Sequence, residues 1–382
     1  MTLANSSEKV TRTTATSNIK APLNQAFHLP GDYYSSAEVY ALEKTKIFMQ
    51  DWLCVGRVEE VENVGDYMAF HVLGEQFLVA RDKNGNLNAF CNTCRHRGVE
   101  VAQGQGNAKE FSCPYHGWLY DLSGKLIGSP YMKQHTAFDP ADCRLKPLGL
   151  DQWAGWIFVT FNPDPPPLAE FVAEYEKAFG LLRMQDCRLS SKFDLDLECN
   201  WKLVVENLQD VYHFQTLHVD SFGAHLSVDE NFDFDVKEKG GFSSFYTGAP
   251  DTPDGKTLVG KLPWLEDKPM NLAYSGYLAP NFHVFGRIDE IHPMVVWPLS
   301  PNRTKMVVYH LFAADHHRQP GFAEKAVVYR DFIARVLEED RTMVASLQRA
   351  MKTKAFEPGP MSHMEVNLHN LINYTAHRIY GE

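Results

Sequence analysis

Between Ser35 and Trp52 the apolar positions Val39, Leu42, Ile47 and Phe48 recur among charged residues at helical spacing, which predicts an amphipathic helix. From about Leu53 to Phe90 the pattern changes to short alternating runs cut by glycine. These are Tyr67 to Val72, Phe77 to Ala80, and the turn Asp82-Lys83-Asn84-Gly85-Asn86. They predict an antiparallel β region that continues to Trp156-Ile157-Phe158-Val159. The run Pro163-Asp164-Pro165-Pro166-Pro167 is a stiff, extended connector and marks a domain seam. Beyond it a helix is predicted over Leu168 to Leu182 and a strand over Lys192 to Glu198. A second helix starts near Trp201, with Asn200 as N-cap. Strands follow at Tyr277 to Phe285, Met294 to Trp297 and Met306 to Phe312. The last clear element is a long helix from about Gly321 to Lys352, whose stripe of Phe332, Ile333, Val336, Leu337, Met343, Val344 and Leu347 is read as core.

Composition narrows the class. The chain has 382 residues, 44% hydrophobic and 22% charged, enough apolar material for a sizeable core, so wholesale disorder is excluded. Lys+Arg 37 against Asp+Glu 48 leaves a net charge of −11 with no dense basic run, so nucleic acid is not an expected partner. No uninterrupted apolar stretch has the length of a membrane span. The first twenty residues are rich in Ser, Thr and Asn and lack the apolar core of a signal peptide. They read as a mobile tail over residues 1–25 of a cytoplasmic protein. Seven cysteines in such a chain do not make a disulfide framework. Cys54, Cys91, Cys143, Cys187 and Cys199 read as small buried hydrophobes or inert thiols.

Cys94 and Cys113 differ, because each has a histidine at ligand spacing. Cys94-Arg95-His96-Arg97-Gly98 is C-x-H. After sixteen intervening residues, Cys113-Pro114-Tyr115-His116-Gly117-Trp118 is C-x-x-H. Two short loops, each bringing a thiolate and an imidazole, can grip a two-iron cluster, with the cysteines on one iron and the histidines on the other. Gly98 and Gly117 would let the loop backbones approach the sulfides. A zinc ribbon built from Cys91, Cys94, Cys113 and His116 fits the spacing too, but leaves His96 without a role.

A second constellation follows Trp201. His213 and His218 are five residues apart, which on an ideal helix points them about 140° from each other. Both can bind one ion only if the helix ends or deforms between them. In the long helix, taking Val336 as origin, Asp340 lies at about 40°, inside the apolar stripe, with Glu338 opposite and Glu339 at the edge. A lone buried carboxylate is costly unless paired or ligating. A buried salt bridge would answer that; so would a 2-His-1-carboxylate site with open positions, as non-haem Fe(II) oxygenases require. The candidate ligands are His213, His218 and Asp340, with Glu339 as the alternative acid.

The C-x-H-R-G and C-P-Y-H-G-W signatures resemble those of a Rieske [2Fe–2S] domain. With the downstream constellation they resemble the α subunit of Rieske non-haem iron oxygenases over nearly the whole chain beyond the tail. The resemblance implies an α+β architecture: a mostly antiparallel β Rieske domain (51–162), the connector (163–167) and a helix-grip catalytic domain (168–382), on which residues 26–50 pack. It implies a [2Fe–2S] cluster on Cys94, His96, Cys113 and His116, and a mononuclear Fe(II) whose acid ligand comes from the long helix. It implies that Asp210 joins a Rieske histidine of a neighbouring subunit to an iron-bound histidine, with Asn207 helping to position the site, in a head-to-tail homotrimer. No flavin or nicotinamide motif appears, so electrons from NAD(P)H would arrive through a reductase, with or without a ferredoxin. O2 would then hydroxylate an apolar, aromatic small molecule or dealkylate an ether or amine. Tyr277, Phe282, Phe285, Met294 and Trp297 are core candidates, some of which could line the substrate pocket. The contrasting reading is a Rieske electron carrier with no second iron.

Overall fold

The computed structural model describes residues 21–221 and 247–381, with Arg12, Ser17, Gly223 and the backbone of 226–227, 233–236 and 241–246. The tail read over 1–25 lies mostly outside the described residues. Two units emerge: one runs from Met49 to Leu168, and the other joins the residues up to Phe48 to those from Ala169 onward.

The smaller unit is all antiparallel. Its strands are β1 (Leu53–Arg57), β2 (Asp66–Val72), β3 (Glu75–Arg81), β4 (Leu87–Cys91), β5 (Gln105–Asn107), β6 (Phe111–Ser112), β7 (Leu119–Tyr120), β8 (Leu126–Gly128), β9 (Gly149–Trp153) and β10 (Trp156–Thr160). They form three sheets, in the orders β4-β3-β2-β5, β1-β10-β9 and β6-β7-β8. The turn read at Asp82 to Asn86 joins β3 to β4, its Gly85 N–H donating to Asp82 O at 2.9 Å. Cys94 and Cys113 belong to the unit's core with Leu78, Phe90, Phe111 and Leu145. Their thiols are thus fixed by apolar packing.

The larger unit opens with α1 (Asp32–Ser35) and α2 (Ala37–Glu43), the latter capped by the Ser36 hydroxyl, which accepts from Glu38 and Val39 N–H. The helix read over 168–182 is broken into α3 (Leu168–Phe171), α4 (Ala173–Phe179) and a final 3₁₀ turn. An eight-stranded antiparallel sheet follows: β11 (Cys187–Leu197), β12 (Leu226–Ser227), β13 (Asp233–Val236), β14 (Gly241–Gly248), β15 (Leu272–Leu278), β16 (Phe282–Arg287), β17 (Ile291–Ser300) and β18 (Arg303–Ala313). The order is β11-β18-β17-β16-β15-β14-β12, with β13 also paired to β14. The single strand read from Tyr277 to Phe285 is in fact a hairpin, β15 turning into β16 at Ala279-Pro280, where the fixed φ of proline suits a turn.

Two helices pack against this sheet and against each other: α5 (Trp201–Gln209) on β15, β17 and β18, and α7 (Phe322–Ala350) on the edge strand β11. Asn200 caps α5 as read, accepting from Lys202 N–H at 3.0 Å. Its buried Lys202 is neutralised by Glu43 of α2, which also accepts from Trp201 Nε1 at 2.8 Å. The helix then stops at Gln209, earlier than expected, and a short α6 (Phe214–Leu217) follows. A final helix, α8 (Val366–Tyr380), was not foreseen. Met343 and Leu347, read as core of α7, are 44% and 45% exposed.

Candidate metal centres

The two motif loops of the smaller unit are built alike. Cys94 N–H donates to Val99 O at 2.9 Å and accepts at its own carbonyl from Gly98 N–H at 2.9 Å; Cys113 repeats this with Trp118 O at 2.8 Å and Gly117 N–H at 3.0 Å. Each loop closes through a left-handed glycine, Gly98 at φ 87° and Gly117 at φ 67°, a conformation a side chain would strain. The cysteines are 3% exposed, while His96 and His116 lie at the surface with their Nδ1 atoms 3.1 Å apart. That arrangement gives His96 the role a zinc ribbon denies it, and its ring stacks on Trp118 at 5.0 Å. Tyr120, which sequence reading passed over, places its hydroxyl 3.4 Å from Cys94 Sγ while accepting from Arg95 N–H at 2.9 Å. Two buried thiols facing two imidazoles suit a Rieske cluster.

The second constellation converges in the larger unit. Asp210 ends α5 in extended geometry, and its Oδ1 accepts from Tyr212 N–H at 2.8 Å. His213 and His218 therefore flank α6 and point inward together, escaping the divergence of a continuous helix. Their Nε2 atoms are 3.2 Å apart, and Asp340 Oδ1 of α7 lies 3.4 Å from His213 Nε2 and 3.1 Å from His218 Nε2. Glu339, the alternative acid, takes a different place: its Oε2 accepts from His218 Nδ1 at 2.8 Å. Asp210 Oδ2 faces His213 Nδ1 at 3.1 Å, so each imidazole is held from behind by a carboxylate. Asn207 Nδ2 donates to Asp340 Oδ1 at 3.2 Å.

The electrostatics favour a cation at the centre. Burial disfavours a charged His213, yet Asp210 and Asp340 outweigh it and push the imidazole up to about 9. Burial likewise opposes ionisation of Asp340, but hydrogen bonds from His213 and His218 hold it down at about 2. Bound protons supply the positive charge that a divalent ion would bring, so the donor set fits Fe(II). Beside the three donors is a narrow cavity of about 30 Å³. Phe285 and Met294 line it as read, with Phe214 and Leu337, whereas Tyr277, Phe282 and Trp297 are buried elsewhere in the core. Asp251, Arg287 and His292 also line it, and sequence reading missed all three.

Comparison with known proteins settles the family. Residues 184–381 match the model described as ring hydroxylating alpha subunit (catalytic domain), and residues 51–148 match the Rieske [2Fe-2S] domain. The chain belongs to the Rieske ring-hydroxylating alpha-subunit family. It is 31% identical over 210 residues to the carnitine monooxygenase oxygenase subunit of Acinetobacter baumannii, covering 54% of this chain and 56% of that protein. This match therefore spans little more than half of the relative's length. The glycine betaine monooxygenase oxygenase subunit of Chromohalobacter salexigens is 26% identical over 371 residues, covering 87% of this chain and 81% of that protein. The fold matches a quaternary ammonium Rieske monooxygenase solved with gamma-butyrobetaine, at TM-score 0.77 and 20% identity over 96% of this chain and 98% of that one. It also matches naphthalene 1,2-dioxygenase from Rhodococcus sp., at TM-score 0.79 and 19% identity over 97% and 98%. No helix among the described residues is long and apolar enough to cross a membrane.

Proposed function

We propose that this chain is the terminal oxygenase of a multicomponent system and inserts oxygen into a C–H bond of a small N-alkylated cation. The observation that carries the oxygenase reading is the convergence of His213 Nε2, His218 Nε2 and Asp340 Oδ1 within 3.4 Å beside an apolar cavity. Relatives named for carnitine, glycine betaine and choline support a quaternary ammonium substrate, in place of the aromatic hydrocarbon expected from the family resemblance. In monooxygenation one oxygen atom enters the substrate and the other leaves as water, consuming two electrons and two protons. A carbon hydroxylated next to nitrogen then loses the amine.

The chain's own residues divide the work. Cys94, His96, Cys113 and His116 would hold the [2Fe–2S] cluster, with both imidazoles at the surface where a donor can reach them. His213, His218 and Asp340 would hold Fe(II), which when bound supplies the open positions for O2 chemistry. Asp210 and Glu339 fix the imidazole tautomers and orientation, and Asn207 orients the Asp340 carboxylate. Phe214, Leu337 and Met294 exclude water from the substrate carbon.

Asp210 is also the proposed link to a second copy. Its side chain is 19% exposed and opens on an apolar groove that Leu217, Met343, Leu347 and Phe356 line. Such a groove beside the carboxylate supports docking of a neighbour's Rieske histidine in a head-to-tail trimer, with a reductase feeding the ring. Metal analysis, oxygen uptake with a surrogate reductase and a panel of trimethylammonium compounds test the proposal. Three irons per chain and coupled product are expected, with His213→Ala losing one iron and keeping the cluster's visible spectrum. Two irons in anaerobically prepared protein would favour an electron carrier instead.

A further inference from the structure

The cavity beside His213, His218 and Asp340 has a second polar end that the oxygen chemistry leaves unused. Asp251 on the loop after β14, Arg287 on β16 and His292 on β17 line it, at 1%, 3% and 2% exposure. Asp251 Oδ2 meets Arg287 Nε at 2.9 Å and stands 3.7 Å from His292 Nδ1. His292 Nδ1 lies 3.4 Å from Glu290 Oε1, and neither atom makes a hydrogen bond. Glu290 Oε2 faces His310 Nδ1 at 3.3 Å, and one Asp289 oxygen accepts from the Tyr329 hydroxyl.

Charge decides what this end can hold. Three carboxyl groups, on Asp251, Asp289 and Glu290, meet one guanidinium, that of Arg287. The imidazoles do not restore the balance, because burial drives both His292 and His310 down to about 4 and leaves them neutral near pH 7. Burial pushes Glu290 up to about 7 and Asp289 up to about 6, so the cluster retains protons for want of a counter-charge. An anion brought here would add to the surplus. A cation would remove it, in a setting where apolar walls limit screening. Asp251, Glu290 and His292 also have ligand atoms close enough to share a metal ion. The Arg287 guanidinium already sits on the Asp251 oxygen that such an ion would use, so a polyatomic cation fits better than a divalent metal.

The geometry points to Asp251, backed by Glu290 and His292, as the group that selects a positively charged organic head in this cavity, an assignment that rests on the oxygenase reading proposed above. Anaerobic calorimetry on the holoenzyme tests it with three probes of one shape: (2-hydroxyethyl)trimethylammonium, its uncharged isostere 3,3-dimethyl-1-butanol, and the anion 3,3-dimethylbutanoate. The wild type should bind the cation at least tenfold more tightly than either other probe. Asp251→Asn should erase that preference while leaving the isostere's affinity within twofold, and Asp251→Glu should restore it in part. Equal binding of the three probes by the wild type, or an equal loss for all three in Asp251→Asn, overturns the assignment. Should Asp251→Asn fail to fold, Glu290→Gln must still lower the cation preference severalfold; an unchanged preference there also overturns it. Oxygen uptake separates the two levels. Turnover of an uncharged or anionic substrate without cation preference would sink the charge selection and leave the oxygenase standing. Absence of any oxygenated product at full iron loading would sink the oxygenase, whatever the calorimetry reads.

Discussion

Replacing Glu339 by alanine should loosen the mononuclear site without removing a ligand. Glu339 Oε2 accepts from His218 Nδ1 at 2.8 Å and from Ser221 Oγ at 2.7 Å, and its side chain is 23% exposed. A largely shielded hydrogen bond to a carboxylate contributes about 1.5–3 kcal/mol. Loss of a carboxylate behind a ligating imidazole typically weakens a metal site by roughly 10- to 100-fold, equivalent to about 1.4–2.7 kcal/mol. The two routes agree. Glu339→Ala should therefore shed Fe(II) to a competing chelator at 10- to 100-fold lower chelator concentration than the wild type. The cluster's visible absorbance is the internal control and should not change. Iron retention equal to wild type would refute the role given to this carboxylate. Loss as complete as in Asp340→Ala would instead make Glu339 a ligand.

Asp210→Asn keeps an oxygen for the Tyr212 N–H but loses the charge, so single-turnover electron transfer between the centres should slow at least 100-fold with both still loaded; rapid-freeze EPR reads this, and an unaltered rate would exclude Asp210 as the bridge. Tyr120→Phe removes the hydroxyl beside Cys94 Sγ, which stabilises the more negative reduced cluster, so the potential should fall by roughly 60 mV if the bond contributes about 1.4 kcal/mol; a redox titration followed by visible dichroism checks it. Glu206 is pushed by burial from 4.5 up to about 7. Between those values the unfolded chain has lost the proton and the folded chain keeps it, so this contribution is full below pH 4.5 and disappears as pH rises through about 7, by ~3 kcal/mol at most. Urea unfolding at pH 5 and 8 should show a smaller drop for Glu206→Gln than for wild type; equal drops would assign the dependence elsewhere.

The cluster loops were legible because their chemistry is local: two short motifs carry thiol, imidazole and hinge glycine within a few residues each. Asp340 was legible because a helical wheel turns a sequence interval into an angle, and an acid in an apolar stripe demands a reason. Glu339 lay one residue away at the stripe's edge, and only the position of His218 shows which imidazole nitrogen it reaches. The stop of α5 at Gln209 was hidden because Asp210 looks like any helix-face acid until its oxygen turns back to Tyr212. Met343 and Leu347 fit the periodicity of a core stripe, but they line the open groove beside Asp210 and so stay exposed. The charged stretch Arg287-Ile288-Asp289-Glu290 carries no local pattern that marks it as buried, yet all four are at most 3% exposed. Burial of that kind depends on what α7 and the Asp251 loop bring across, which no local pattern encodes.

The carboxylate at position 210 spends one oxygen on ending a helix and the other on an imidazole. Punctuation and wiring are thus welded into one side chain. Alanine there would let the helix wind on and swing His213 off target, so a dead alanine variant reveals nothing about conduction. Only an amide, which still terminates the helix but carries no charge, separates the two jobs.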